Sequence, residues 1–489
     1  MTIGSISAVE YEAVIGLEVH AQLATESKMY CRCAALYADA PPNTHVCPVC
    51  LGMPGVLPTI NRRAVEYVIM TALALNCSVP AYAKFDRKNY AYPDLMKGYQ
   101  ISQYDQPLGL EGWLDVEVEG CSRRIGVTRV HLEEDVAKLL HRSKDGGYSL
   151  VDVNRAGMPL MEIVSEPDMR SPEEARQYLM KLRTILCYLG VSAANMEEGS
   201  FRCDANISIR PVGESALMSK VEVKNMNSFR AVFRALEYET TRQRQVIGKG
   251  GRVIQETRGW VEAEGKTVSQ RSKEFAHDYR YFPEPDLPPL MPSEDLVREI
   301  KAKLPELPDA RCVRFVEQYD LPVYDATILT GSRELADYFE AGVSVALSPK
   351  EVSNWLLGAV ASMMNDRNID IIAFGTHVSP SRLAELVALV GRSVINMGTG
   401  KAVLEEMFTT GHPAGDIIKE KGLAQISDVA ELERVVDDVI RDNPATVADF
   451  RGGKPQAMQF MVGQVMRLTK GRASPAVATE LLTRKLGEL

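Results

Sequence analysis

The sequence lacks a long hydrophobic run, an export signature and the common nucleotide-binding loops. Its first residues, M-T-I-G-S-I-S-A-V-E-Y-E, contain neither a basic stretch nor an apolar one, so no signal peptide is expected. No apolar run approaches the roughly 20 residues a bilayer span requires. The expectation is a cytoplasmic protein with no membrane, or an organellar one whose transit peptide has been removed. There is no G-x-x-x-x-G-K-[ST] phosphate loop, since Gly398-Thr399-Gly400-Lys401-Ala402 lacks the first glycine and the hydroxyl. There is no G-x-G-x-x-G after a strand and no G-x-S-x-G elbow. The usual P-loop, dinucleotide and α/β-hydrolase sites are thereby excluded. Cysteine is sparse and odd in number, at nine. Without an export signal, disulfides are not expected, and clustered cysteines read as metal ligands. Net positive charge is also missing: the formal charge is −9, which argues against a surface that wraps nucleic acid nonspecifically.

What is present is the balance of a globular protein, 45% hydrophobic and 25% charged over 489 residues, enough for roughly three domains. The charge is uneven. From Arg451 onward seven Lys/Arg face two Glu, a net of +5, which leaves −14 for residues 1–450. A basic tail on an acidic body points to a polyanionic partner; a solvated helix surface is the plainer alternative.

The fold class expected is α+β. Ile15 to Leu23 alternates apolar and polar, and so does Phe201 to Arg210, the period of strands with one buried face, as in an antiparallel sheet. Ser171-Pro172-Glu173-Glu174 and Ser348-Pro349-Lys350-Glu351 read as helix-opening capping boxes. The run P-E-P-D-L-P-P-L-M-P at 283–292 is a stiff linker, and strand signals fade after it. The expected division is an antiparallel-sheet cradle over 1–292, an all-α domain over 293–410 and a small helical tail over 411–489.

Two cysteine pairs, Cys31-Arg32-Cys33 and Cys47-Pro48-Val49-Cys50, have the spacing that places four thiolates around one Zn²⁺ with no open position, a structural site. A second group is polar. Glu18 and His20 share one face of a strand. Glu133 follows Arg129 and His131 at strand spacing. Glu162 lies in the apolar run P-L-M-E-I-V, costly unless paired or bound to a cation. Asp204 has Arg202 and Asn206 beside it, and Lys220, Glu222 and Lys224 share a face. The segment Lys84-Phe85-Asp86-Arg87-Lys88-Asn89-Tyr90 reads as a cationic loop. Each pattern alone is what a solvated strand face produces. Together, the carboxylates suit Mg²⁺ completed by water and phosphate, and the cations suit phosphates.

The segments V-I-G-L-E-V-H-A-Q-L, K-F-D-R-K-N-Y-x-Y-P-D, Y-Q-I-S-Q-Y-D-Q-P, H-L-E-E-D, N-R-A-G-x-P-L-x-E-I-V-S-E-P-D, E-E-G-S-x-R-C-D-A-N-I-S-I-R, K-N-x-N-S-F and D-Y-R-Y-F-P-E-P-D-L-P-P stand in this order along the chain. With the tail segment G-K-P-Q-A-M-Q-F-M-V-G-Q-V-M-R-L-T-K-G-R-A-S-P they resemble the B-subunit family of the aspartyl/glutamyl-tRNA(Asn/Gln) amidotransferases over nearly the whole chain. The resemblance implies a ligase that uses ATP and Mg²⁺ to activate the side-chain carboxylate of misacylated Glu-tRNA(Gln) or Asp-tRNA(Asn). Ammonia then amidates it, supplied by an amidase A-subunit in a heterotrimer with a small C-subunit. It implies Mg²⁺ at Glu18, His20, Glu133 and Glu162, with Asp204 close by. His20, an uncommon Mg²⁺ ligand, would act partly through water or on the substrate. Lys84, Lys88 and Lys224 would meet phosphates or the tRNA 3′ end. A YqeY-like tail would contact tRNA through Lys454, Arg467, Lys470 and Arg472. Two alternatives stand beside it. An archaeal E-subunit would carry a large extra domain before the tail, and a noncatalytic tRNA scaffold would have no use for the carboxylates.

Overall fold

The computed structural model describes residues 9–142, 147–272, 279–345, 348–425, 429–451, 454–469 and 472–488. The chain divides into two compact units, 1–307 and 308–489.

The first unit is built on an eight-stranded sheet. Its strands are β1 (Tyr11–Gln22), β4 (Gly109–Val118), β5 (Cys121–Glu134), β8 (Pro159–Ser165), β9 (Phe201–Pro211), β10 (Val221–Met226), β11 (Glu256–Val261) and β12 (Lys266–Ser272). The order is β12-β11-β10-β9-β1-β8-β5-β4. In β1 the odd residues Ile15, Leu17, Val19 and Ala21 are buried, while the even residues Glu18 and His20 emerge on the other face. Every neighbouring pair is antiparallel except β10–β11, which is parallel. The antiparallel-sheet expectation holds for the other pairs and gives way at this one for a topological reason. A helix of 20 residues lies between these two strands, the kind of crossover a parallel pair requires.

That helix is α3 (Phe229–Gly248), following α1 (Arg62–Ala74) and α2 (Pro172–Leu189). All three pack on the apolar face of the sheet. Ser171 caps α2 by accepting from the Glu174 amide at 3.1 Å. The capping box closes differently from expectation: the Glu174 carboxylate accepts from the Arg170 amide at 2.7 Å, one residue before the cap. Gly190, at φ +66°, ends the helix in the left-handed conformation that costs glycine nothing. A fourth helix, α4 (Glu294–Ala302), packs on α1, so the compact unit extends past the proline linker.

Two small sheets complete this unit. β6 (Lys138–Arg142) pairs with β7 (Tyr148–Asp152), and β2 (Asp86–Asn89) pairs with β3 (Tyr99–Ser102) and β13 (Phe282–Pro283). The cationic segment expected as a loop is thus partly strand. Its period is hidden because its inward groups are charged: Asp86 is 1% exposed, and Arg87 makes a two-pronged pair with Glu284 at 2.8 and 2.7 Å.

The second unit is helical throughout its described elements, from Pro308–Tyr319 to Pro475–Glu488. One buried cluster runs from Phe315 to Ile418. A separate one, from Leu432 to Leu486, belongs to the last four helices. Among the described residues no helix is long and apolar enough to cross a membrane.

Candidate active site

Strand register assembles the site. Glu18 stands opposite Asp204 across β1–β9, and His20 stands opposite Arg202 on one side and Glu162 on the other. Glu162 in turn faces His131 across β8–β5. All therefore project from the face away from the helices. They line a cleft of about 630 Å³ together with Glu133, Arg129, Lys88, Lys224 and a group of tyrosines.

The centre of the cleft is two buried carboxylates flanked by two imidazoles. His20 Nε2 lies 3.6 Å from Glu133 Oε1 and 3.3 Å from Glu162 Oε2. His131 Nε2 lies 3.8 and 3.4 Å from the same two groups. Ser102 donates to Glu133 at 3.0 Å. Glu133 and Glu162 are 2% and 7% exposed, so their charge is little screened. Burial opposes a charged His20, yet the carboxylates of Glu162 and Glu133 raise it to about 9. Burial likewise opposes ionised Glu162, and the two histidines hold it well below the usual carboxylate range. Lys88 is pulled upward by Glu133 and the carboxylate side of the cleft despite its burial.

A divalent cation fits this donor set. His20, Glu133 and Glu162 each offer a ligand atom within 4.8 Å of the others. Two anionic oxygens lining an open cleft are what Mg²⁺ takes before completing its octahedron with water and phosphate. The Nδ1 of buried His131 has no hydrogen-bond partner among the described residues, a polar atom left to a ligand or water. Glu18 lines the same cleft but outside that trio, accepting from Asn206 at 2.9 Å. Asp204 is paired with Lys224 at 2.6 Å, and Lys224 also reaches Glu222 at 3.2 Å.

Lys84 does not line the cleft. Its ammonium pairs with Asp86 and, at 2.6 Å, with Asp105. Sequence reasoning left out His131 as a site residue, although it sits two positions before Glu133 on one strand. It also passed over Tyr104, Tyr279 and Tyr281, because apolar rings in loops carry no periodic signal.

The four cysteines converge. Sγ atoms of Cys31, Cys33, Cys47 and Cys50 lie within 4.8 Å of one another, and Cys47 and Cys50 are 3.9 Å apart. Four Zn–S bonds imply sulfur separations of about 3.8 Å, so the set fits a tetrahedral zinc. The Cys47 amide donates to Cys50 Sγ at 3.1 Å, and Gly52 takes φ +65° to close the knuckle. The hydrogen bond from Cys31 brings Cys50 down to about 5, with the buried ammonium of Lys28 adding to it. Burial lifts Cys33 to about 11.

In the tail, Lys454 is exposed and pairs with Asp449 at 2.8 Å. Arg467 is exposed, and Arg472 bonds the Thr469 carbonyl at 3.3 Å. Lys470 lies outside the described residues.

Comparison with known proteins shows the family of the chain that carries this cleft. Residues 13–298 match the family model described as the GatB/GatE catalytic domain, and residues 337–486 match the one described as the GatB domain. The B-subunit of the aspartyl/glutamyl-tRNA(Asn/Gln) amidotransferase from Dehalococcoides mccartyi (strain CBDB1) is 63% identical over 98% of this chain and 99% of its own. The proteins of that name from Carboxydothermus hydrogenoformans and Thermomicrobium roseum are 53% and 55% identical over 98% of this chain, covering 100% and 99% of their own lengths. The chain belongs to the B-subunit family of the aspartyl/glutamyl-tRNA(Asn/Gln) amidotransferases. The sheet unit coincides with the catalytic-domain match. The last helical cluster and all but the final three residues of the basic tail fall within the second match.

Proposed function

We propose that the chain is the transamidating subunit of a glutamine-dependent tRNA amidotransferase. It uses ATP to phosphorylate the side-chain carboxylate of misacylated Glu-tRNA(Gln), Asp-tRNA(Asn) or both. The carboxylate oxygen attacks the γ-phosphorus and ADP leaves. Ammonia then attacks the acyl carbon and phosphate leaves, giving the amide. The ammonia comes from an amidase A-subunit, with a small C-subunit completing a cytoplasmic heterotrimer.

The observation that carries this reading is the Glu133–Glu162 pair, buried in a cleft that also holds lysines. His20, His131 and Lys88 neutralise these two carboxylates in part, and a divalent cation seated between them would take over that role when a triphosphate binds. Glu133 and Glu162, with His20 directly or through water, would hold Mg²⁺, which supplies charge neutralisation at the transferring phosphoryl group. Glu18 and Asp204 border that position, with Asp204 holding Lys224 in place. Lys88 and Lys224 face the phosphates. Lys84 serves by locking Asp86 rather than by reaching the nucleotide. The four cysteines carry a structural Zn²⁺. The tail, folding as its own helical domain behind a central one, meets the tRNA backbone with Lys454, Arg467, Lys470 and Arg472, each a phosphate contact without sequence information.

The test is transfer of the ATP γ-phosphate to Glu-tRNA(Gln) by the assembled complex carrying Glu133→Ala or Glu162→Ala. Both should fall at least about a hundredfold. Wild-type rates in both would leave only the scaffold reading.

A further inference from the structure

Four tyrosines at the mouth of the cleft form a connected aromatic surface. Tyr104 and Tyr281 stack face to face, with centroids 4.2 Å apart and planes 10° from parallel. Tyr279 meets Tyr281 edge-on at 6.1 Å and Tyr90 at 5.8 Å. All four line the same cleft as the carboxylates. A core cluster would hide its rings, but Tyr104 is 54% exposed and Tyr279 37%. One face of the Tyr104 ring is covered by Tyr281, and the residue as a whole stays half exposed.

The backbone holds these rings in place at a cost. Arg280, between Tyr279 and Tyr281, adopts φ +47°, a conformation that non-glycine residues seldom take and that collects at ligand sites. It is fixed from both sides by Asn89, whose amide donates to the Tyr279 carbonyl at 2.9 Å and whose side chain donates to the Arg280 carbonyl at 2.9 Å. On the other side of the stack, the Tyr104 amide donates to buried Asp86 at 3.1 Å, and Lys84 holds that carboxylate. Lys88 links the surface to the reaction centre. Its ammonium lies 5.0 Å from the Tyr279 ring centroid and feels both Glu133 and Glu162.

We propose that the Tyr104–Tyr281 stack is a base-stacking subsite that takes an adenine ring, with Lys88 receiving the phosphate attached to it. The inference rests on the function proposed above and adds to it the place where a nucleobase is bound. An exposed aromatic face beside a cation is how proteins hold a base without reading its edge. Two adenines enter this chemistry: that of ATP and that of the 3′-terminal adenosine of tRNA.

The experiment uses the assembled complex with Tyr104→Ala and Tyr104→Phe, and reads KM for ATP and KM for Glu-tRNA(Gln) separately. Stacking loss predicts that Tyr104→Ala raises one of them about tenfold or more, while Tyr104→Phe stays within about twofold of wild type because the ring remains. A rise confined to ATP assigns the subsite to the nucleotide; a rise confined to tRNA assigns it to the terminal adenosine. If Tyr104→Ala leaves both KM values unchanged, or if Tyr104→Phe is as damaging as Tyr104→Ala, the subsite is refuted. Glu162→Gln in the same assay separates this from the parent reading. Loss of phosphoryl transfer there beside an inert Tyr104→Ala removes the subsite alone, whereas wild-type transfer by both Glu162→Gln and Glu133→Ala removes the parent function. Thermal melting of each variant checks the fold, which an exposed ring should not disturb.

Discussion

His20 and Glu162 stand directly opposite each other on adjacent antiparallel strands, with Nε2 3.3 Å from Oε2. The pair sets the histidine where it can help hold a cation or keep the carboxylate oriented. Glu162→Gln keeps the shape and removes the charge. We expect it to raise the Mg²⁺ concentration needed for half-maximal amidation at least about tenfold. His20→Gln should have a smaller effect of the same sign. Titration of amidation against Mg²⁺ measures both. If His20→Gln proves the more damaging in Mg²⁺ dependence, Glu162 is not the principal ligand.

The two lysines of the K-F-D-R-K segment should separate in their effects. Lys84 neutralises Asp86, which is 1% exposed, so Lys84→Met strands a buried charge and should cost about 3 kcal/mol of stability. Lys88 faces the cleft, so Lys88→Met should cost less stability than Lys84→Met and raise KM for ATP. Urea unfolding and steady-state kinetics on the same two proteins decide the matter; the reverse pattern would exchange their roles.

The cysteine cluster should carry about one zinc per chain. Elemental analysis of the purified protein checks this directly. Cys50→Ser should reduce the zinc content and lower the melting temperature, while the phosphorylation step, carried by the carboxylates, should survive at temperatures where the variant stays folded. A fully folded wild-type protein with no metal would refute the zinc assignment.

In the helical unit, Glu340 accepts from Arg314 at 2.7 Å and from Tyr319 at 3.1 Å, and Arg311 also pairs with it. Burial raises a carboxyl pKa, but these arginines outweigh it and hold Glu340 below the ordinary glutamate value. Because the folded value is depressed, the stabilisation is complete above the unfolded value and disappears as pH falls through the folded one. Glu340→Gln should therefore cost about 1–2 kcal/mol near neutral pH, and the gap from wild type should close as the pH falls below about 4.5. Urea melts at both pH values test this; a gap that widens in acid contradicts the assignment.

How legible each part was in the sequence followed from whether its physics was periodic. β1 and β9 declared themselves by alternation, because each buries one face against helices. Their registers then brought Glu18, His20 and Asp204 to one side, as the alternation required. The cysteine pairs were legible because short spacing limits where two sulfurs can point. The β2 strand was not, since Asp86 and Arg87 are charged and find their partners in remote residues such as Glu284. Lys84 looked like a phosphate ligand for the same reason: sequence shows a cation, while only the fold shows that two carboxylates already claim it. Tyr104 and Tyr281 meet from loops far apart in the chain, which no local pattern reveals. The parallel β10–β11 pair was likewise set by a crossover, not by either strand's own pattern.

The central position of β1 has one more consequence. A slip of a single residue against β8 or β9 would press Glu18 and His20 into the helices and turn Ile15, Leu17 and Val19 out to water, since strand faces exchange at each step. A mispaired chain would thus be inactive and adhesive at once. Newly made molecules with a scrambled reaction centre are therefore also the ones that chaperones and proteases can recognise, and the cell need not detect faulty chemistry separately from faulty assembly.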